Sequence, residues 1–82
     1  MDRGVILAGI VDAIADQFFV SPELITERTT ASDVDGWDSL SHVTLILDIE
    51  RRFNVRLPVK KTTEASDVGQ LVQIALEAVG SK

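Results

Sequence analysis

Apolar residues recur along the chain at helical spacing. Three segments carry them three or four positions apart, which places their side chains on one face of an α-helix. In residues 3–19 the apolar positions are Leu7, Ile10, Val11, Ile14 and Phe18. In residues 39–53 they are Leu40, Val43, Ile46, Leu47, Ile49 and Phe53. The last segment, from residue 67 onward, has Val68, Leu71, Val72, Ala75 and Val79. Because no segment alternates with period two for long enough to be a strand, the sequence predicts an all-α fold, a small bundle.

Residues that begin and end helices stand beside these segments. Asp2, Asp38 and Asp67 can each accept hydrogen bonds from the free N–H groups of a first helical turn. A glutamine three residues after Asp67 completes the form of a capping box. Residues 54–58 are expected to end the second helix, since Pro58 lacks an N–H and disfavours helical backbone in Leu57 before it. Gly80 is placed to end the last helix.

Two short connections are predicted between the helices. Pro22 follows Ser21 in the manner of a capped first turn, so we expect a brief turn that buries Leu24 and Ile25. Residues 62–66 are expected to be irregular or to form a single helical turn.

The inward-facing positions of the helices are predicted to form the core. The second helix is apolar over more than one stripe, because Leu45, Ile46 and Leu47 are consecutive. Part of that surface should therefore lie near the helix edge or face something other than the core. The residues expected to be largely buried are Leu7, Ile14, Val43, Leu47, Phe53, Leu71 and Ala75.

Composition narrows the class of protein. A chain of 82 residues, of which 45% are hydrophobic and 26% charged, is typical of one small globular domain over residues 1–82. It contains no cysteine, which excludes disulfides, thiolate metal sites and a native thiol nucleophile. Neither a signal peptide nor an apolar stretch long enough to span a membrane is visible. We expect a cytoplasmic monomer with no membrane insertion.

Charge is unevenly distributed. The net charge is −5, made up of −8 in residues 1–50 (two bases, ten acids) and +3 in residues 51–82 (six bases, three acids). The acidic part disfavours nucleic-acid phosphates and favours basic protein partners. The basic part carries almost no interleaved aromatic residues, so a solvated surface is the better interpretation and no nucleic-acid partner is predicted.

Ser39 stands where a polar loop gives way to the second helix. Residues 26–38 have no strong period, and loops of that length in a compact domain usually serve a function or are disordered. A serine at the start of a helix exposes its hydroxyl beside unpaired N–H groups and the positive end of the helix dipole, which favour phosphate. We interpret Ser39 as a site of modification.

A hydrolase is an alternative that the residues do not favour. Asp38, Ser39 and His42 include the three side-chain types of a catalytic triad, but adjacent turns of one helix cannot easily produce the linear triad geometry. The nucleophile elbow would also need a second glycine and a strand. No catalytic residues are predicted.

Calcium binding by the acidic loop is a second alternative. With Gly36 at the sixth position of an EF-hand loop, Asp33 and Asp35 stand correctly. The first position then falls on Ala31 and the twelfth on His42, so two key ligands are missing. No metal site is predicted.

At Asp38-Ser39-Leu40 the sequence resembles the modification site of the acyl carrier protein family. The resemblance continues through the second helix and its exit, in Val43, Leu45, Ile49-Glu50, Phe53, Val55 and Leu57-Pro58, and returns at Asp67-Val68-Gly69-Gln70-Leu71. It covers about half of the chain. Residues 1–30 match only in containing one amphipathic helix.

The resemblance implies a small four-helix bundle with three main helices and a short third helix. It implies that Ser39 carries covalent 4′-phosphopantetheine, transferred from coenzyme A by a magnesium-dependent phosphopantetheinyl transferase, which makes the chain a phosphoprotein. The chain would then be a carrier of acyl or aminoacyl thioesters, not an enzyme. It would deliver them to acyl-loading, acyl-transfer and synthase enzymes of fatty-acid, polyketide or related biosynthesis. Family members can also shelter an acyl chain between their helices, with which the aliphatic residues 45–47 are compatible.

The sequence departs from the common family pattern in its charge. Ser41, His42 and Thr44 stand where acids are common, and Arg51 and Arg52 add positive charge at the end of the second helix. Charge complementarity largely sets partner choice in such carriers. The departures argue against routine fatty-acid elongation, and Gly-Trp-Asp-Ser-Leu resembles free-standing carriers of specialised pathways.

Partner contacts are predicted on the second helix and its leading loop. The residues are Trp37, Asp38, Leu40, His42, Val43 and Arg51. His42 and Trp37 each have a plainer interpretation, as a helix-surface residue and as an aromatic side chain folded over the core edge. The competing function is a helical protein–protein interaction module with no prosthetic group, in which Asp-Ser-Leu is accidental.

Overall fold

The computed structural model describes residues 1–80, which form four α-helices and two short 3₁₀ turns without a β-strand. The helices are α1 (Arg3–Phe18), α2 (Ser39–Phe53), α3 (Val59–Glu64) and α4 (Val68–Gly80), and the 3₁₀ turns are Pro22–Leu24 and Ala31–Asp33. The prediction of an all-α four-helix bundle with a short third helix is confirmed. Within the described residues no helix is both long enough and apolar enough to cross a bilayer.

The predicted N-terminal caps of α1 and α4 are confirmed by their hydrogen bonds. Asp2 Oδ1 accepts from the Val5 N–H at 2.9 Å, and Asp67 Oδ1 accepts from the Gln70 N–H at 2.9 Å. The Gln70 side chain returns to the Ser66 N–H at 3.0 Å, one residue before the aspartate. These bonds satisfy N–H groups that the first turn of a helix leaves without a partner inside the helix.

The short third helix begins earlier than predicted. It starts at Val59, directly after Pro58, and ends at Glu64, where the prediction had placed a turn over residues 62–66. Proline has a backbone angle that suits the start of a helix, and its carbonyl accepts the Thr62 N–H at 3.0 Å. Pro58 therefore opens α3. It is not the residue that ends α2, because α2 already ends at Phe53, with Asn54 in the left-handed conformation as its C-cap.

The phase predicted for α2 was partly wrong. Its buried residues are Leu45, Ile46, Ile49 and Phe53. Val43 and Leu47 were expected in the core but are 43% and 50% exposed. A helix that is apolar on most of its circumference allows several orientations by periodicity alone, and packing against α1 selects one of them. Of the other predicted core residues, Leu7 is half-buried and Ile14, Leu71 and Ala75 are buried.

The brief turn after α1 buries one of the two residues predicted. Ile25 is 8% exposed, whereas Leu24 is 75% exposed. Leu24 ends the 3₁₀ turn that begins at Pro22, and Ile25 follows it in extended backbone. Adjacent residues on a turn and an extended segment point in different directions, so only Ile25 returns to the core.

Helices α1 and α2 run antiparallel, which sets the surroundings of Ser39. At one end Gln17 Nε2 donates to the Ser41 carbonyl at 2.8 Å. At the other end α1 passes so close to α2 that a Cβ atom on Gly9 would lie 2.3 Å from Phe53 Cζ. The last turn of α1 therefore lies beside the first turn of α2.

The loop over residues 26–38 is fixed to α4 by backbone hydrogen bonds. The Val68 N–H donates to the Thr29 carbonyl at 2.9 Å, and the Gly69 N–H donates to the Glu27 carbonyl at 2.8 Å. Both donors belong to the first turn of α4, where N–H groups have no partner inside the helix. Arg3 of α1 also pairs with the Glu27 carboxylate. The first part of the loop, at Glu27 and Thr29, is thereby fixed to α1 and α4.

Candidate functional site

Ser39 is the first residue of α2, and its hydroxyl is exposed. Asp38 precedes it as the N-cap residue in extended conformation. The Ser39 side chain forms no hydrogen bond with any other part of residues 1–80, whereas most polar groups around it do. The hydroxyl therefore points into solvent at the positive end of a helix dipole.

The turn before Ser39 is held by Ser41. Its N–H donates to Asp38 Oδ1 at 2.9 Å while its Oγ accepts from the Asp38 N–H at 2.8 Å, which is a reciprocal capping box. The same hydroxyl donates to the Gly36 carbonyl at 2.7 Å. Gly36 has φ +90, a conformation that glycine adopts without a steric penalty. Ser41 thus fixes the two residues on either side of Trp37.

Asp38 carries a negative charge beside the Ser39 hydroxyl. Hydrogen bonds from the Ser41 N–H and then from its side chain lower the pKa of the Asp38 carboxyl, with a smaller contribution from the Leu40 N–H. The group is exposed, so the effect is local and screened by solvent. The carboxylate is occupied with the helix start and does not act on Ser39.

A chain of hydrogen bonds joins the leading loop, α2 and α3. Trp37 Nε1 donates to His42 Nδ1 at 3.1 Å, and His42 Nε2 lies 3.1 Å from Thr62 Oγ1. Since the indole N–H can only donate, Nδ1 is the acceptor and a neutral His42 carries its proton on Nε2. Thr62 Oγ1 in turn donates to the Val59 carbonyl at 2.7 Å. Partial burial lowers the pKa of His42, which favours this neutral form.

The hydrogen bonds of His42 explain why the hydrolase alternative fails. Both ring nitrogens of His42 are bonded to Trp37 and Thr62, so neither accepts the proton of Ser39. A general base must lie within hydrogen-bond reach of the proton that it removes.

Trp37 is also packed against α1. Its ring and the ring of Phe18 have centroids 5.6 Å apart and planes within 18° of parallel. The prediction that Trp37 folds over the core edge is consistent with this stack and with its half-buried side chain. Together with the His42 bond, the stack fixes the residue two positions before Ser39.

An open cleft begins at Ser39 and continues inward. Its outer part has a volume of about 250 Å³, and a narrower part of about 50 Å³ adjoins it at Trp37 and His42. Thr62, Ser66 and Asp67 bring polar groups to the inner part. The aliphatic residues 45–47 line neither part, because Leu45 and Ile46 belong to the core. The outer cleft is lined by Ala31, Trp37, Asp38, Ser39, His42 and Thr63.

The predicted partner contacts fall into two groups. Trp37 and His42 are half-buried and bonded to each other, and Asp38 caps the helix. Leu40, Val43 and Arg51 are exposed on α2, with Leu40 exposed to 83%. Leu47, predicted as core, lies on the same helix face as Leu40 and Val43 at positions i, i+3 and i+7. The result is an exposed apolar line that begins next to Ser39.

The three loop aspartates do not meet at one point. Asp33 Oδ2 accepts from the Thr30 N–H at 2.9 Å, and Asp38 caps α2. Within residues 1–80 no group of three or more His, Cys, Asp or Glu side chains is arranged to hold a metal ion.

Three residues with a role in the site were not predicted. Thr62 accepts from His42, Ser41 fixes the turn, and Gln17 bonds the Ser41 carbonyl from α1. Ser41 could have been identified, because it stands at the third helical position after the Asp38 cap, where a side chain can bond back. Thr62 and Gln17 carry no local signal, since each acts on a helix distant in sequence.

Comparison with known proteins agrees with this geometry. A family model described as the phosphopantetheine attachment site matches residues 8–75. The acyl carrier protein of Amoebophilus asiaticus is 36% identical over 74 residues, which cover 89% of this chain and 91% of that protein. The acyl carrier protein of Syntrophobacter fumaroxidans is 40% identical over 58 residues, 71% of this chain and 72% of that protein. The solution structure of a holo acyl carrier protein from Geobacter metallireducens has a TM-score of 0.79 at 25% identity, covering 92% of this chain and 86% of that one.

Proposed function

This chain belongs to the acyl carrier protein family, and from that premise we propose that Ser39 is the residue to which 4′-phosphopantetheine is attached. The family's members are carriers and not catalysts, and their prosthetic group is 4′-phosphopantetheine. The assignment to Ser39 is carried by one observation. Its hydroxyl is exposed and unbonded within residues 1–80 at the N-terminus of a 15-residue helix.

The residues around Ser39 fit a phosphodiester. The first turn of α2 offers backbone N–H groups and the positive end of the helix dipole to a negative charge. The outer cleft leaves space on one side of the hydroxyl. When bound, the group supplies the thiol that this cysteine-free chain lacks.

Ser39 supplies the nucleophilic oxygen in the loading step. A phosphopantetheinyl transferase binds coenzyme A and magnesium, and the Ser39 oxygen forms a bond to the phosphorus that bears the pantetheine. The pyrophosphate bond of coenzyme A breaks, adenosine 3′,5′-bisphosphate leaves, and the serine proton passes to the transferase. Gly36, Ser41 and the capping box fix the backbone at the start of α2, so that Ser39 presents its hydroxyl to the enzyme from a fixed turn.

We propose the class of pathway from the positions on α2 where uncharged residues stand in place of the acids common in the family. Ser41 and His42 carry no negative charge that a basic partner could bind, and their side chains are already bonded within the site, Ser41 to Gly36 and His42 to Trp37 and Thr62. The carrier therefore suits acyl-loading and synthase enzymes of a specialised fatty-acid, polyketide or aminoacyl pathway more than general elongation. We place it in the cytoplasm as a monomer. The alternative of an interaction module without a prosthetic group is disfavoured by the family membership.

The attachment is tested by loading the purified chain with coenzyme A, magnesium and a broad-specificity transferase. Mass spectrometry should show one added phosphopantetheine group, on the peptide that contains Ser39. Ser39→Ala should fold and take up nothing. Ser21→Ala is the matched control, because Ser21 is another exposed serine directly before a helical turn, and it should load normally. Loading that persists in Ser39→Ala shows that the assignment is wrong.

A further inference from the structure

The residue that ends α1 combines an unusual backbone conformation with an exposed aromatic ring. Phe19 has φ 58 and ψ 43, and it is 93% exposed. Bulky residues rarely adopt positive φ, because their Cβ atom crowds the backbone, and glycine is the usual residue in this position at the end of a helix. Asn54 ends α2 in the same conformation, but asparagine tolerates it well.

Neither the backbone nor the core requires phenylalanine at this position. A glycine would end α1 without the steric penalty. The packing against the core is performed by the preceding residue, Phe18, whose ring stacks on Trp37. The conformation of Phe19 lowers stability and its exposed ring adds none through burial, and backbone outliers of this kind concentrate at functional sites.

Phe19 lies at the same end of the bundle as Ser39. The last turn of α1 contacts the start of α2 through Gln17 and the Ser41 carbonyl, and Phe18 stacks on Trp37 two residues before Ser39. A protein that reaches the Ser39 hydroxyl therefore approaches the end of the molecule from which Phe19 projects.

The chain that follows Phe19 is apolar and acidic, and Val20, the next residue, lines the same cavity as Leu24 and Asp33. Leu24 is 75% exposed, and it lines a cavity of about 230 Å³ together with Asp33. Glu23 and Asp33 are exposed carboxylates. We call Phe19, Leu24, Glu23 and Asp33 the Phe19 patch.

We propose that the Phe19 patch is a docking surface for the phosphopantetheinyl transferase that modifies Ser39. This inference rests on the proposed attachment at Ser39. An enzyme that presents coenzyme A must hold its phosphates with cationic side chains, so the face beside them complements Glu23 and Asp33. Phe19 fills an apolar pocket of the enzyme, because buried aromatic anchors carry most of the binding free energy of an interface. A second copy of this chain is a poorer partner, since a twofold contact would bring like charges together.

Loading kinetics separate docking from chemistry. We would measure kcat and KM for the chain as substrate, with coenzyme A, magnesium and a broad-specificity transferase, together with melting temperatures. Phe19→Gly should melt at the same or a higher temperature and raise KM roughly tenfold or more. Its kcat should change less than about twofold, because Phe19 does not touch the reacting atoms. Phe19→Tyr, which keeps the ring, should retain a KM near that of the wild type.

Asn54→Gly is the matched control for the backbone. It places glycine in the same conformation at the end of α2, beyond Phe53 and away from Ser39, so its KM should equal that of the wild type. An unchanged KM in Phe19→Gly overturns the docking role and leaves the attachment at Ser39 intact. A lower melting temperature in Phe19→Gly shows that the ring supports the fold, which also overturns the inference.

Two further outcomes also count against the inference. If the wild type sediments as a dimer and Phe19→Gly as a monomer, the patch binds a second copy of the chain and not the transferase. If the wild type takes up no phosphopantetheine, both the attachment at Ser39 and this inference are wrong.

Discussion

The indole N–H of Trp37 donates a hydrogen bond to Nδ1 of His42, with 3.1 Å between the two nitrogens. The bond joins the loop that leads to Ser39 with the first turns of α2, and His42 extends it to the buried hydroxyl of Thr62 on α3. The geometry next to the candidate attachment site therefore depends on a neutral histidine.

This dependence predicts how the site responds to pH. Burial lowers the pKa of His42, so the unfolded chain takes up a proton at higher pH than the folded chain does. Neutral His42 therefore contributes to the free energy of unfolding in full above the ordinary histidine pKa of about 6.5. This contribution is lost as the pH falls from there through the lowered pKa of the folded chain. His42 is the chain's only histidine, so its titration by NMR is unambiguous. The Trp37 indole proton should shift with the same midpoint.

Trp37→Phe is the control for that titration. It keeps an aromatic ring over Phe18 but removes the N–H donor, so protonation of His42 no longer breaks a hydrogen bond. The pKa of His42 should rise toward its ordinary value. If the pKa of His42 in the wild type lies at or above the ordinary histidine value, the hydrogen-bond chain through a neutral His42 is wrong.

The close approach of α1 and α2 predicts the effect of adding one methyl group. Gly9→Ala places a Cβ atom 2.3 Å from Phe53 Cζ, and overpacking of this kind costs about 1–3 kcal/mol. Gly4→Ala in the same helix has only the Asp2 carboxylate nearby, at 3.3 Å. It should be neutral or slightly stabilising, because alanine is the better helix former. Urea unfolding of both variants measures the difference, and equal stability contradicts the packing of α1 on α2.

The orientation of α2 predicts unequal effects at neighbouring positions. Ile46 is fully buried and Leu47 is 50% exposed. Ile46→Ala should lower the free energy of unfolding by about 2–5 kcal/mol, and Phe53→Ala by about 3–5 kcal/mol. Leu47→Ala should lower it by less than about 1 kcal/mol, since much of its side chain already contacts water. Thermal or urea unfolding measures these losses. If Leu47→Ala lowers the free energy of unfolding more than Ile46→Ala does, Leu47 faces the core as periodicity predicted and the orientation of α2 described above is wrong.

Recognition along α2 is predicted to be more apolar than ionic. Leu40 is exposed directly after Ser39, whereas the Asp48 carboxylate is already paired with Arg52 at 3.0 Å. Leu40→Ala should therefore slow loading by the transferase more than Asp48→Asn does, by roughly tenfold against twofold. Because Ser41, His42 and Thr44 on α2 carry no negative charge, added salt should lower the loading rate only modestly, by weakening the contacts of Glu23 and Asp33 alone. Steep salt dependence together with normal loading of Leu40→Ala would show that charge governs recognition.

Much of the site was predictable because it is local in sequence. The start of α2, its Asp38 cap and the position of Ser39 depend on residues within one turn of each other, and the structure places them as expected. The hydrogen-bond chain was not predictable, since His42 and Thr62 are 20 residues apart and neither side chain signals the other. From the sequence, His42 was interpreted as a helix-surface residue and Thr62 was placed in an irregular segment, so nothing indicated that the two side chains meet.

The sequence by itself determined the helices, their caps and the serine at the start of α2, because hydrogen bonds within a few residues set these features. Only the tertiary structure decided which face of α2 is buried. Val43 and Leu47 are as apolar as Ile46, and the contact of Gly9 with Phe53 selects among faces that periodicity leaves equivalent. The exposure of Phe19 also became visible only in the fold, since an aromatic residue at a helix end can pack inward or outward. Burial depends on neighbours that are distant in sequence, and the chain brings them together only when the whole bundle forms.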